Sequence, residues 1–389
     1  MDMISKLPPG IIETILCLLP IQEAARTSIL SKEWRYHWIK IPKLVFDEDT
    51  FEEVSANGVE VSGWEPTFEA PNQRKKLTKR CRCFYAIFQV LLMHEGPIHE
   101  FTLSIDTDDS CVEIDQIIFH LSRKNTVKKL TLEFLWDYRL PKSLFSLHQL
   151  TDLYLIRCDV YYEPTFNGFS SLTSLWLEAV MTSKETLMHL LSNCPLLDTL
   201  YIWETTINVT DDSSIINLFE CLPVIENLSI FSEVIESFAQ GGVPRKLPTA
   251  LIHLKYLCIE SVSFIHIHGL PILGLLIRSS PNLEKLKIGI LDDSFLKEAE
   301  KCYSLTVDDY SDIWLENLNE LEIINMGRRM SGINVVKLIL GKSPMLKKVK
   351  IFLDYYVTKD EELEITRSIL YSSHASPMIK FDVKNRCNS

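Results

Sequence analysis

One pattern limits what this chain can fold into: apolar-x-x-Leu-x-Leu/Ile, returning from His99 to the C-terminus with different flanking residues each time. Val127-Lys-Lys-Leu-Thr-Leu132, Leu150-Thr-Asp-Leu-Tyr-Leu155, Leu172-Thr-Ser-Leu-Trp-Leu177, Leu254-Lys-Tyr-Leu-Cys-Ile259 and Leu283-Glu-Lys-Leu-Lys-Ile288 are instances. The key apolar position falls at Phe101, Leu130, Leu153, Leu175, Leu200, Leu228, Leu257, Leu286, Leu321 and Val349, with gaps of 22 to 35 residues. A period of this size is the signature of a repeat architecture.

Within each instance apolar and polar residues alternate, which predicts a short strand with one buried face. Between strands the period changes to that of a helix: Leu187, Leu190 and Leu191; Ile215, Leu218, Phe219 and Leu222; Leu273, Leu276 and Ile277. Pro195, Pro223, Pro281 and Pro344 each precede the next key position by five residues and separate the helical segment from the strand. Neither element can bury its apolar side alone. The expectation is therefore an α/β fold in which strand–loop–helix units stack into a curved solenoid, with parallel strands on the concave face and helices and loops on the convex one.

With Asp and Glu at 52 against 40 Lys and Arg, the net charge of −12 repels a phosphate backbone, and nucleic acid is not an expected partner. Met1-Asp2-Met3 does not open a signal peptide, and apolar stretches such as Tyr85–Met93 are too short to span a bilayer. No membrane role is expected, and the location expected is nucleus or cytoplasm. The ten cysteines form no C-x-x-C pair and suit free thiols in a reducing compartment.

Three lookalikes fail on their chemistry. His94-Glu95-Gly96-Pro97-Ile98-His99 spaces its histidines wrongly for a zinc helix, which Gly96-Pro97 would break. Gly341-Lys342-Ser343 lacks the first glycine of a phosphate loop, having Val336 there. His266 and His268 have no third ligand at suitable spacing. No catalytic residues, metal or cofactor are expected. The dense basic run Asn72–Arg82 reads as a solvated helix start, or as a nuclear-localisation or acidic-partner patch.

The N-terminus is different. Ile11, Ile12, Ile15, Leu16 and Leu19 mark a helix ending at Pro20; Ile21–Leu30 forms a second segment; Ser31 caps a third, Lys32–Ile39, carrying Trp34 and Trp38. Read as Ile4-Ser-Lys-Leu-Pro-Pro-Gly-Ile-Ile-Glu-Thr-Ile-Leu-Cys-Leu-Leu-Pro20 and Glu23-Ala-Ala-Arg-Thr-Ser-Ile-Leu-Ser-Lys-Glu-Trp-Arg-Tyr-His-Trp38, the block resembles the F-box of plant F-box proteins, although Pro9-Gly10 stands where that family usually has an acid. Phe84–Ile98 and Asn317–Val383 resemble the pre-repeat and FBD segments of plant F-box/FBD/leucine-rich-repeat proteins.

The resemblance implies a three-helix F-box over 1–46, a linker over 47–80, leucine-rich repeats over 81–316 and an FBD-like region over 317–389. It also implies a substrate-recognition subunit of an SCF-type (Skp-cullin-F-box) ubiquitin ligase, non-catalytic itself. The Skp-type adaptor, and through it a cullin, would be met by Leu7, Pro8, Ile11, Ile12, Ile15, Leu16, Leu19 and Pro20, with Leu30, Ser31, Trp34 and Trp38 completing the module. On the repeats, the residues alternating with the core leucines, Tyr154, Trp176, Tyr201, Trp203 and Phe231, predict an exposed aromatic patch for a protein substrate, the alternative being that the rings stack on one another or lie under a loop from Asp47–Lys79. The alternatives are a repeat scaffold acting outside a ligase and a co-receptor for a small ligand.

Overall fold

A computed structural model describes residues 7–32, 34–50, 71–106, 111–161, 166–208, 214–264, 268–291, 310 and 312–385. The chain forms two compact units, Met1–Leu172 and Thr173–Ser389.

The first unit begins with helices α1 (Pro9–Cys17) and α2 (Ile21–Arg26). Pro9 occupies the first helical turn, where its missing N–H costs nothing, so Pro9-Gly10 starts α1 without disturbing it. The third predicted helix is instead a pair of 3-10 turns, Trp34–Tyr36 and Trp38–Lys40. Ser31 still caps it, accepting Trp34 N–H at 3.3 Å. Its aromatic residues are indifferent helix formers, and turning both indoles inward decides the local geometry.

Strands β1 (Lys43–Asp47), β2 (Glu100–Ile105), β3 (Lys129–Arg139) and β4 (Asp152–Asp159) form a parallel sheet in that order. Helices α3 (Pro71–Met93) and α4 (Val112–Lys124) connect them. The register aligns Leu44, Phe101, Leu130 and Leu153, all buried, so the predicted key positions form one ladder and β1 adds an unpredicted rung.

The division drawn at 46/47 is therefore not a break in packing, because β1 belongs to the repeat sheet. Nor is all of 47–80 a linker: residues 71–80 are the first turns of α3, begun by Pro71 and carried by Gln, Arg and Lys, good helix formers without an apolar stripe to reveal them. Residues 51–70 of that predicted linker lie outside the described residues.

The F-box block is tied to β2 through the backbone. Glu95 N–H donates to Ile39 O at 3.0 Å, and His99 and Glu100 N–H both donate to Pro42 O. Buried His94, its pKa lowered by desolvation, lies 2.9 Å through Nε2 from Ile41 O. A Cβ on Gly96 would lie 2.9 Å from Lys40 O and 3.2 Å from its Cα. Gly96→Val is expected to force this junction apart at a cost of about 1–3 kcal/mol. Faster amide exchange at Glu95 and His99, with strands of the second unit unchanged, would show it; unaltered exchange would refute the junction.

The second unit is a longer stack. Strands β5 (Ser174–Glu178), β7 (Thr199–Trp203), β9 (Asn227–Phe231), β10 (Tyr256–Val262), β11 (Lys285–Ile290), β12 (Glu320–Met326), β13 (Lys348–Leu353) and β14 (Lys380–Asn385) pair in parallel, each with the next. Short strands β6 (Met181–Ser183) and β8 (Thr206–Asn208) pair beside them. Leu175, Leu200, Leu228, Leu257, Leu286, Leu321, Val349 and Phe381 fall in one register. β11 pairs β12, so 316/317 is not a break in packing either.

Helices α5 (Lys184–Ser192), α6 (Ile215–Glu220), α7 (Ser232–Phe238), α8 (Gly269–Ser279), α9 (Met330–Lys342) and α10 (Lys359–Leu370) lie between the strands. They bury the predicted stripes, including Leu187, Leu190 and Leu191 on α5.

The four spacer prolines share one geometry. Leu197, Ile225, Leu283 and Leu346 each donate N–H to the carbonyl three residues back, leaving proline at the second position of the turn. There its fixed φ is already correct, and the residue closing the turn is driven into the core. Gly341-Lys342-Ser343 lies at the end of α9, not at the start of a phosphate-binding helix. His268 stands at the N-cap of α8, and His266 lies outside the described residues.

Candidate interaction surfaces

The F-box block hides one stripe of its apolar residues and leaves another in solvent. Ile12 and Leu16 are buried, as are Trp34 and Trp38. These four cannot be contact residues without unfolding the block, and their part is to form its small core. Ile11 is 47% exposed and Ile15 36%, one turn apart on the outer face of α1. Pro8, Leu19, Pro20 and Leu30 are exposed beside them in sequence, while Leu7 and Ser31 are half-buried.

Sequence reading missed Leu18, Ile29 and Tyr36, at 81%, 85% and 59% exposure. Nothing local marks them, since a leucine off the helical stripe reads as incidental until the packing leaves it outside. Large aliphatic groups exposed this densely on a forty-residue block call for a partner.

The other predicted residues lie on the outer faces of the strands, in each unit separately. In the first unit Tyr154 is half-buried, with Lys129 Nζ 5.3 Å from its ring centre. In the second unit Trp176, Tyr201, Trp203 and Phe231 alternate with core residues, as expected, but they do not stand free in solvent. Trp176 and Tyr201, opposite one another in register, stack with ring centres 3.4 Å apart and 15° between planes. Trp203 follows at 5.8 Å from Tyr201, and Phe231 at 6.2 Å from Trp203. Each ring is half-buried: register across adjacent strands, about 4.8 Å apart, brings Trp176 against Tyr201, while Tyr201 and Trp203 are successive same-face positions of β7. The patch is a pre-ordered aromatic floor.

Trp176 Nε1–H donates to Glu178 Oε2 at 2.9 Å, holding the indole in place. Burial, then the carboxylates of Glu178 and Glu260, push the Tyr201 hydroxyl upward, so it stays a neutral donor. The same alternation continues where sequence reading stopped. Tyr256 and Cys258 occupy outward positions of β10, and Cys258 Sγ donates to Glu260 Oε1 at 3.3 Å. Burial pushes this thiol up to about 12, so it is unreactive. Lys287 Nζ meets Glu260 at 2.8 Å, and Lys350 Nζ meets Glu320 at 3.0 Å.

A cleft of about 430 Å³ in the first unit is lined by carboxylates, among them Glu48 and Asp106, together with Lys79 and Arg157. Glu48 is kept above the usual carboxylate range by burial and accepts Asp106 N–H at 2.7 Å. Among the described residues no group of three His, Cys, Asp or Glu side chains could hold a metal ion, and no helix is long and apolar enough to cross a membrane.

The model of the F-box domain matches residues 4–45, and that of the leucine-rich repeats of an FBD-associated F-box protein, At5g56370, matches residues 116–211. The Arabidopsis thaliana F-box/FBD/LRR-repeat protein At1g13570 is 29% identical over 97% of each chain. The chain is thus similar to plant F-box/FBD/leucine-rich-repeat proteins over nearly its whole length. A second Arabidopsis thaliana F-box/FBD/LRR-repeat protein, At2g04230, is 24% identical over 97% of this chain and 77% of its own. Among solved structures an internalin from Listeria monocytogenes is similar at a TM-score of 0.30 and 14% identity over 62% of this chain and 57% of its own, too distant to bear weight. The matched F-box spans α1, α2, the two 3-10 turns and the start of β1. The family likeness thus falls on the block that exposes Ile11 and Ile15.

Proposed function

We propose that this F-box/leucine-rich-repeat protein is the substrate-recognition subunit of an SCF-type ubiquitin ligase. The exposed apolar face of the F-box carries this reading: Ile11, Ile15, Leu18, Leu19, Ile29 and Leu30 lie in solvent on a block whose interior is already filled by Ile12, Leu16, Trp34 and Trp38. Such a face suits a Skp-type adaptor, and through it a cullin. The aromatic floor on the repeats is the face for a target protein. No residue of this chain performs transfer chemistry in this reading; it works by holding a target within reach of its partners' catalytic groups. Nucleus or cytoplasm is where such a complex would act.

The test is purification of the tagged full chain from plant cells in which proteasomal turnover is blocked. A Skp-type adaptor and a cullin are expected in the eluate, together with ubiquitinated targets. Trp176→Ser with Tyr201→Ser is expected to remove the targets while keeping adaptor and cullin, at a cost in stability of about 1–2 kcal/mol for the lost stack. An eluate without adaptor and cullin overturns the ligase reading; targets retained by the double variant overturn the target face.

A further inference from the structure

The outer sheet face of Thr173–Ser389 changes character along its length. Strands β5, β7 and β9 carry no Lys or Arg and one carboxylate, Glu178. Strands β11 to β14 carry six lysines and three carboxylates. The aromatic floor occupies the first of these regions. It is flanked by Glu178 and by exposed Glu204, which directly follows β7 in the left-handed conformation at φ 46°. Glu178 accepts Trp176 Nε1–H, and among the described residues neither Glu178 nor Glu204 forms an ion pair with Lys or Arg. Glu178 is held at the floor by its bond from the Trp176 ring, and Glu204 directly follows Trp203 at the end of β7.

A ring surface with uncompensated carboxylates at its margin favours one side chain above others. The guanidinium is planar, stacks on aromatic surface, sheds water more readily than an ammonium group, and pairs with a carboxylate through two parallel N–H bonds. A carboxylate or phosphate would be repelled, and a purely aliphatic segment would desolvate the Glu178 charge without supplying a counter-charge. Extending the reading that this face receives the target, we infer that the floor formed by Trp176, Tyr201, Trp203 and Phe231 binds an arginine-bearing segment of a partner protein, with Glu178 and Glu204 as the carboxylates that pair with it.

The experiment titrates the intact chain by calorimetry with blocked hexapeptides holding two arginines, two lysines or two glutamates in a Gly/Ser background. Glu178→Gln with Glu204→Gln removes both charges while leaving the acceptor for Trp176 Nε1–H. Lys350→Gln, at the far end of the sheet, is the control. The arginine peptide is expected to bind about tenfold more tightly than the lysine peptide and to lose about tenfold in the double glutamine variant. The control should be unchanged. Because the chain carries a net charge of −12, binding of a cationic peptide alone counts for nothing. Equal affinity for arginine and lysine peptides, or affinity unmoved in the double variant, overturns the inference. Targets lost with Trp176→Ser/Tyr201→Ser but kept with the glutamine pair would overturn the arginine assignment and leave the target face standing. Targets kept by both variants would overturn the reading beneath it.

Discussion

Ile11→Glu together with Ile15→Glu is expected to abolish capture of a Skp-type adaptor while leaving the chain folded. The two isoleucines lie four residues apart on α1 and are 47% and 36% exposed, so charge at either position is solvated in the free protein. In a docked interface the same charges would be buried against apolar surface without partners. That desolvation, added to the lost contact, costs about 2–5 kcal/mol per residue at a central interface position, or roughly thirty- to several-thousand-fold in affinity. Ile12→Glu separates the effects, because Ile12 is buried and its replacement should unfold α1 instead. Co-purification and circular dichroism on the two variants form the measurement. Adaptor binding that survives in the Ile11/Ile15 variant would mean that another face of the block docks.

The largest loss of stability is expected from shortening the leucine ladder. Leu200 and Leu257 are 1% and 0% exposed, and each lies in register between core residues of two neighbouring strands. Leu→Ala at either position should cost about 2–5 kcal/mol, since the stacked strands on both sides can close only part of the cavity. Against a typical domain stability of about 5–15 kcal/mol, that brings the chain close to unfolding. In a stack where each repeat contacts its neighbours, the loss should spread to adjacent strands before the far ones. Leu363→Ala, on the exposed side of α10, should be near neutral. Denaturant unfolding read with amide exchange along the strands checks both points; a neutral result at both ladder positions would contradict the register.

The ten key positions were legible because burial imposes period two on a strand regardless of the tertiary neighbour, so Phe101 through Val349 could be aligned by pattern alone. The flanking rungs were not. Leu44 and Phe46 of β1 sit inside a stretch dominated by the F-box pattern, and Phe381 and Val383 follow a shortened spacer. The F-box was recognisable from its ordered residues, but not which side of it faces water: Ile11 and Ile12 look alike in sequence, and only the packing of α1 sends one out and the other in. The aromatic rings were placed correctly on the outer face, yet their stacking at 3.4 Å depends on strand spacing and register, which no single strand encodes.

The left-handed residues mark the boundary between local and tertiary control. Arg157, Ala179, Glu204, Ser261 and Asn325 each lie four residues after a key position and each has φ between 46° and 58°. Asparagine tolerates that conformation; arginine, alanine, glutamate and serine gain nothing from it locally. By itself the sequence determined that the chain repeats, which side of each strand is buried, where the prolines turn the chain and which family its N-terminus resembles, because all of these follow from spacing and residue type within a few turns of chain. The tertiary structure decided where each strand bends, that β1 joins the F-box to the repeats, and which apolar and charged groups remain free to meet a partner. Those outcomes depend on backbone hydrogen bonds and packing between residues about 20 to 60 positions apart, whose combined stabilisation outweighs the local preference of any one residue.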